Sequence, residues 1–159
     1  MNEVANWNAQ LDPAFVEEWG TRFGDAWNDH DPEAIAELCS EDVVWNDAAL
    51  PGPAHGRKGV AEFARFTFAV FPDFHVVETA ESLFISPAEP VVLVPYRMTG
   101  SRRGTDDARQ GDAVARFSLA GIDQWTFRGE RLCAYSTYYD KDEMDRQLRL
   151  TGAGQSVVR

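Results

Sequence analysis

Val114-Ala115-Arg116-Phe117-Ser118-Leu119-Ala120-Gly121-Ile122-Asp123-Gln124-Trp125-Thr126-Phe127 is the stretch from which the rest of the chain can be read. Alternate side chains of a strand point to the same face. Phe117, Leu119, Trp125 and Phe127 therefore share one face, and Gly121 and Asp123 lie on it with them. A carboxylate among aromatic rings is costly unless it is paired, hydrogen-bonded or protonated. Asp123 is thus a satisfied structural residue, an edge residue near solvent, or part of a site. Arg128-Gly129-Glu130 turns the chain back into residues 132–139, a second strand with Tyr135, Thr137 and Tyr139 on one parity.

Upstream of this hairpin the chain also reads as strand, over residues 74–84 and 91–99, with Ser86-Pro87-Ala88-Glu89-Pro90 between them. Residues 101–112 are polar and rich in Gly, Asp and Arg, and read as a long mobile hairpin loop. The first half is helical. Asp12-Pro13 is an N-cap followed by a proline at the first helical position, and Phe15, Trp19, Phe23 and Trp27 follow at four-residue spacing, one stripe of a helix ending near Asp29. Such a stripe packs a core, and it also suits the wall of a pocket for a flat ligand.

Asp31-Pro32 repeats the cap and starts a short helix that buries Ile35, Leu38 and Cys39. Val43-Val44-Trp45-Asn46 is a short strand with Asp47 at its end, before the loop Leu50-Pro51-Gly52-Pro53. Residues 59–71 read as a third helix with Val60, Phe63, Thr67 and Val70 inward, stopped by Pro72-Asp73. Asp140 and Glu143 form a capping-box pattern for a last helix over residues 141–150. Residues 1–11 are expected to be an arm, 12–150 one domain and 151–159 a flexible tail.

Helices followed by a meander of strands describe an α+β domain. An antiparallel sheet needs a cover on one face, and the aromatic helices supply it. The expected result is a cone-shaped curved sheet wrapped around the long N-terminal helix, open at one end.

The 159 residues carry a formal charge of −11, which argues against a nucleic-acid backbone or an anionic membrane surface as partner. No apolar run is long enough to span a bilayer, and Met1-Asn2-Glu3-Val4 lacks a signal-peptide pattern. Cys39 and Cys133 lie far apart and read as reduced core thiols, which places the protein in the cytoplasm. The three histidines lack zinc-site spacing, so no metal is expected, and no nucleophile motif or phosphate-binding loop occurs.

Four stretches together resemble the nuclear transport factor 2-like superfamily, in particular its SnoaL-like and ketosteroid isomerase-like members. They are Asn28-Asp29-His30-Asp31-Pro32-Glu33-Ala34-Ile35, Ser40-Glu41-Asp42-Val43-Val44-Trp45-Asn46-Asp47, Phe71-Pro72-Asp73-Phe74, and the terminal hairpin from Gly121-Ile122-Asp123 through Gly129-Glu130-Arg131-Leu132 to Tyr138-Tyr139-Asp140. Against the ketosteroid isomerases, the resemblance implies that Asp47 stands at the general base and Asp123 at the protonated aspartate of the oxyanion hole. Phe23 stands where that family has its oxyanion tyrosine, and it has no hydroxyl. Thr137 stands where SnoaL-like cyclases carry a catalytic aspartate. Of the epoxide-hydrolase triad, which falls near Thr99, Arg97 and Thr137, only the arginine is present.

Two carboxylates in unlike surroundings can divide acid and base roles. Asp47, at a strand end beside a Pro/Gly loop, is expected to see water and stay ionised as the base. Asp123, desolvated among aromatics, is expected to be neutral and to donate. The cavity they face is expected to be lined by Trp19, Phe23, Trp45, Phe63 and Trp125, with Arg97, Tyr135, Thr137 and Tyr139 as further contacts. This describes an isomerase, cyclase or dehydratase (a lyase) that needs no cofactor and acts on an apolar, carbonyl-bearing molecule such as a polyketide or terpenoid. A non-catalytic small-molecule binding domain would use the same cone. An assembly module would use the outer sheet face, where Ile122, Gln124 and Thr126 lie, and a homodimer through that face is compatible with either of the other readings.

Overall fold

The computed structural model describes residues 10–81, 83–103 and 114–150. The N-terminal arm up to residue 9, most of the 101–112 loop and the tail after residue 150 lie outside the described residues. Helices α1 (Pro13–Asn28) and α2 (Pro32–Glu37) lead into β1 (Cys39–Asn46) and β2 (Ala54–His55). Helix α3 (Gly56–Val70) precedes β3 (His75–Glu78), β4 (Phe84–Ile85), β5 (Val91–Arg103), β6 (Val114–Arg128) and β7 (Arg131–Tyr139), and α4 (Lys141–Leu150) closes the domain. The strands form one sheet in the order β2-β1-β7-β6-β5-β3, with β4 also on β5. All pairs are antiparallel except β1 with β7, which run parallel. The expected α+β cone is the observed fold, with a mixed sheet in place of a purely antiparallel one.

Local chemistry accounts for the helix ends. Asp12 accepts from the Ala14 N–H at 3.1 Å and Asp31 from the Ala34 N–H at 3.0 Å, each with a proline next in sequence. Between the two helices His30 adopts φ 56°, a left-handed conformation unusual for a residue with a Cβ. Its ring compensates by stacking on Phe68 and hydrogen-bonding the Phe74 carbonyl oxygen through Nε2 at 2.8 Å. Asn28 adds a two-way bond to the Val76 backbone, 2.9 Å in each direction. Asp73 accepts from the Ser101 N–H and hydroxyl at 2.7 and 2.6 Å. The motifs around residues 28–35 and 71–74 are therefore clamps that fix α1 and α3 to the sheet edge.

Several element boundaries differ from the sequence reading, among them Cys39, expected in the second helix and found as the first residue of β1. Helix α3 starts at Gly56, whose φ of +71° makes the turn out of β2. Strand β5 continues through Arg103. The expected strand over 74–84 is two short strands. Pro95 explains the interruption. Its carbonyl accepts from the Thr79 N–H at 3.0 Å, so its missing N–H faces the same edge and cannot continue the ladder past Glu78.

The apolar face of the sheet packs in two clusters. One gathers α1, α2, β1 and the Trp125–Phe127 end of β6 around Trp19, Phe23 and Trp45, and Leu11 is buried in it. The other lies under α4, where Met144 and Leu148 meet Tyr96, Met98, Phe117 and Leu119. The register shift after Thr126 adds twist where β6 and β7 curl over α1.

Candidate active site

The two apolar clusters leave a cavity of about 100 Å³ where they meet. Phe23 and Trp27 reach it from α1, Trp45 from β1, Phe63 from α3, Phe71 and Phe74 from the α3–β3 turn, Tyr96 and Met98 from β5, and Met144 from α4. Phe66, also on its rim, is 64% exposed, so the mouth opens beside α3. Asp47, Asp123, Tyr135, Thr137 and Tyr139 line it as well.

Register places the polar groups. Asp123 pairs with Thr137, Trp125 with Tyr135 and Gly121 with Tyr139 across β6–β7, so the inward parities of the two strands coincide. Trp45 pairs with Tyr135 across β1–β7, and their rings stack at 3.6 Å, which carries the end of β1 and Asp47 to the same cavity.

Asp123 is 6% exposed. Its Oδ1 accepts from the Tyr135 hydroxyl at 2.7 Å and its Oδ2 from the Trp125 indole N–H at 3.3 Å. Burial pushes its carboxyl up from the ordinary 3.8 to about 7, against hydrogen bonds from Tyr135, Thr137 and Trp125 that favour the ionised form, and the nearby Asp47 charge adds to the rise. Asp47 takes both of its hydrogen bonds on Oδ1, from the Ala49 N–H at 2.8 Å and the Tyr139 hydroxyl at 2.7 Å. Among the described residues none reaches Oδ2. Burial raises the Asp47 carboxyl too, opposed by those two bonds and by the Lys141 charge. Asp47 is half-buried where Asp123 is buried, so it is the more hydrated of the two, although part of its carboxyl is desolvated. The strand end lies under Tyr139, which covers one side of the carboxyl.

Phe23, Trp45, Phe63, Tyr135, Thr137 and Tyr139 line the cavity as expected from sequence. Three other residues do not. Arg97 is exposed on the outer face of β5, where its guanidinium donates to the Ser118 hydroxyl at 3.0 Å. Its neighbours Tyr96 and Met98 point inward instead. Trp19 and Trp125 are buried one layer behind the wall, ring centroids 4.9 Å apart. Trp19 backs Phe23 at 4.9 Å, and Trp125 meets the site through Asp123 and through the Phe23 ring at 5.5 Å.

Tyr96 was missed in the sequence. Its hydroxyl shares a 2.6 Å hydrogen bond with Thr137 Oγ1, beside Asp123, and desolvation raises its pKa. The signal was Gly121. The two are cross-strand partners, and only a residue without a side chain lets the Tyr96 ring lie over that strand. Trp27, Phe71, Phe74 and Met98 were missed as well. Among the described residues no cluster of three His, Cys, Asp or Glu side chains could hold a metal ion, and no helix is long and apolar enough to cross a membrane.

What the arrangement can do is move protons. One carboxylate has an oxygen that takes no hydrogen bond among the described residues, burial raises the pKa of the second toward neutrality, and hydroxyls of Tyr96, Thr137, Tyr135 and Tyr139 surround them.

The geometry agrees with comparisons to known proteins. The sequence profile of the SnoaL-like domain matches residues 21–135. No curated protein matches the chain. Among solved structures, a hypothetical protein with a ketosteroid isomerase-like fold from Catenulispora acidiphila, in complex with trimethylamine, superposes with a TM-score of 0.70 at 20% identity, over 87% of this chain and 98% of that one. TsrD from Streptomyces laurentii gives 0.69 at 19% identity, over 87% and 98%. IdmH from Streptomyces antibioticus, provisionally named a polyketide cyclase, gives 0.65 at 21% identity, over 84% and 97%. At such identities the likeness is one of fold. With the profile spanning most of the domain and the cone, the clamps and the terminal hairpin all in place, the chain belongs to the SnoaL-like domain family.

Proposed function

We propose that the protein is an enzyme of the isomerase, cyclase or dehydratase type, whose own carboxylates carry acid/base chemistry on a mostly apolar, carbonyl-bearing small molecule such as a polyketide or terpenoid. The observation that carries this reading is the pair Asp47 and Asp123 on one aromatic cavity, with unlike hydrogen bonding and unlike burial.

In the proposed reaction Asp47 takes a proton from the carbon next to the carbonyl. The C–H pair becomes the carbon–carbon double bond of an enolate, and the negative charge moves to the carbonyl oxygen. Asp123 in its neutral form donates to that oxygen. Its raised pKa keeps the proton available near neutrality, and the raised pKa of Asp47 makes it a stronger base than an exposed aspartate. Return of the proton to another carbon completes an isomerisation. Attack of the enolate carbon on a second carbonyl completes a cyclisation, and loss of a β-hydroxyl as water a dehydration. Tyr135 and Thr137 are the hydroxyls on Asp123, with Tyr96 bonded to Thr137 behind them, in a site where Phe23 offers none.

The alternative is a non-catalytic binding domain with the same cavity. It draws support from Phe23 and Thr137, which lack the groups that the ketosteroid isomerases and SnoaL-like cyclases use there. The two readings separate on one variant. Asp47→Asn abolishes turnover of a carbonyl substrate if the protein is an enzyme, and changes affinity alone if it is not.

A homodimer through the outer sheet face fits either reading. Leu93, Ile122 and Tyr138 are 41%, 44% and 60% exposed. Register aligns them, with Pro95, Ile122 and Tyr138 in one cross-strand row and Phe84 opposite Leu93 in the next. The free thiols of Cys39 and Cys133 support a cytoplasmic location.

A further inference from the structure

The charges around the cavity do not balance. Among the described residues its lining holds two aspartates and no lysine, arginine or histidine. The cation that acts on Asp47 is Lys141, which lies outside the lining and is tied to Asp145 at 2.5 Å. A carboxylate set in an apolar wall is favoured by hydrogen bonds, a proton or a counter-charge. Asp123 has three donors. Asp47, which is half-buried, has two, both on Oδ1, and its Oδ2 takes none among the described residues and keeps some access to solvent. Much of the remaining wall is aromatic, with Phe23, Trp27, Trp45, Phe63, Phe74 and Tyr135 converging from four elements and the α3–β3 turn. Aromatic faces attract cations, and more strongly where water is excluded. The net charge of −11 adds a long-range field of the same sign.

We propose that the cavity takes a small organic cation, an N-alkylated ammonium head, held against the aromatic walls with Asp47 Oδ2 as its counter-charge. Size agrees. An apolar cavity of about 150 Å³ holds benzene, and a trimethylammonium head is slightly smaller than benzene, in keeping with the 100 Å³ found here. A longer substituent on the nitrogen leaves through the mouth beside Phe66. This inference rests on the reading of the cavity as a ligand site, and it holds whether or not chemistry follows binding.

The test compares choline with 3,3-dimethylbutan-1-ol, its neutral isostere in which carbon replaces the quaternary nitrogen, by calorimetry at constant ionic strength. Choline is expected to bind tighter by on the order of tenfold. Asp47→Asn should remove most of that preference while the alcohol binds as before. Glu89→Gln, which removes the same unit of charge from an exposed turn, should keep it. If the alcohol binds wild-type protein as tightly as choline or tighter, the cation is refuted and the cavity stands as a ligand site. If neither binds at millimolar concentration, the cavity reading falls with it. The wild-type comparison decides the question even if Asp47→Asn does not fold.

Discussion

The side chain that Gly121 lacks would place its Cβ 2.4 Å from the hydroxyl oxygen of Tyr96. No contact that short is tolerated, so the glycine is the space in which the tyrosine lies. Gly121→Ala should push the ring off Thr137 and cost about 1–3 kcal/mol of stability, as overpacking does. In a Tyr96→Val background the same change should cost far less, although the Tyr138 carbonyl, 3.0 Å from the added Cβ, keeps some of the penalty. Urea denaturation of the four-member cycle measures the coupling.

Turnover should separate the two aspartates. Asp47→Asn keeps the shape and removes the base, so kcat falls to background while ligand affinity persists. Asp123→Asn still donates a hydrogen bond and should be milder. Asp123→Leu removes the donor and should raise the barrier by on the order of 3 kcal/mol. Steady-state kinetics on any carbonyl substrate that turns over checks the ranking.

Stability should depend on pH through Asp123. Its carboxyl is raised in the folded state, from 3.8 to about 7. Between those values the native protein holds a proton that the unfolded chain has lost. Stability from this group is therefore present at the acid end and is lost as pH rises toward 7, then stays level. Asp47 contributes in the same direction. Exposed acids such as Glu143, lowered by its Arg146 hydrogen bonds, contribute the opposite slope. The difference between wild type and Asp123→Asn isolates the effect. The asparagine variant should gain on wild type as pH rises from about 4 to about 7, measured by chemical denaturation at each pH.

Association should fail when the outer face is charged. Ile122 lies between Pro95 and Tyr138 in the middle of the exposed apolar row. Ile122→Lys should sediment as a monomer with an unchanged circular dichroism spectrum, against a wild-type dimer. A wild-type monomer at micromolar concentration would remove the dimer altogether.

Most of the fold was legible because its signals are periodic. The four-residue aromatic stripe of α1, two Asp-Pro caps and the alternation in β6 and β7 each point to a single geometry. The inward parity of Asp123 came from the same alternation. Arg97 was misplaced because β5 is apolar on both parities. Val91, Leu93 and Pro95 alternate with Val92, Val94 and Tyr96, so periodicity leaves the faces undecided until the register with β6 is known. Trp19 and Trp125 were assigned to the cavity on the correct face but at the wrong depth, since a stripe does not say which turn of a helix meets open space. The shielding of Asp47 depends on Tyr139, a residue that pairing and not sequence proximity brings over it.

The parallel pairing of β1 with β7 has a consequence for how the protein is made. Asn46 and Ser136 touch across a separation of 90 residues, so the wall that carries Asp47 closes only when the last strand arrives. Contacts so distant in sequence fold slowly, because the loop must be closed before the pairing rewards it. A ribosome-bound chain that has not yet released β7 holds Asp47 and the aromatic face of α1 without their cover. Refolding followed by tryptophan fluorescence should show burial of Trp45 as the late phase, with ligand binding recovered only then. A chain cut short before Arg131 lacks the strand that closes the pocket beside Asp47.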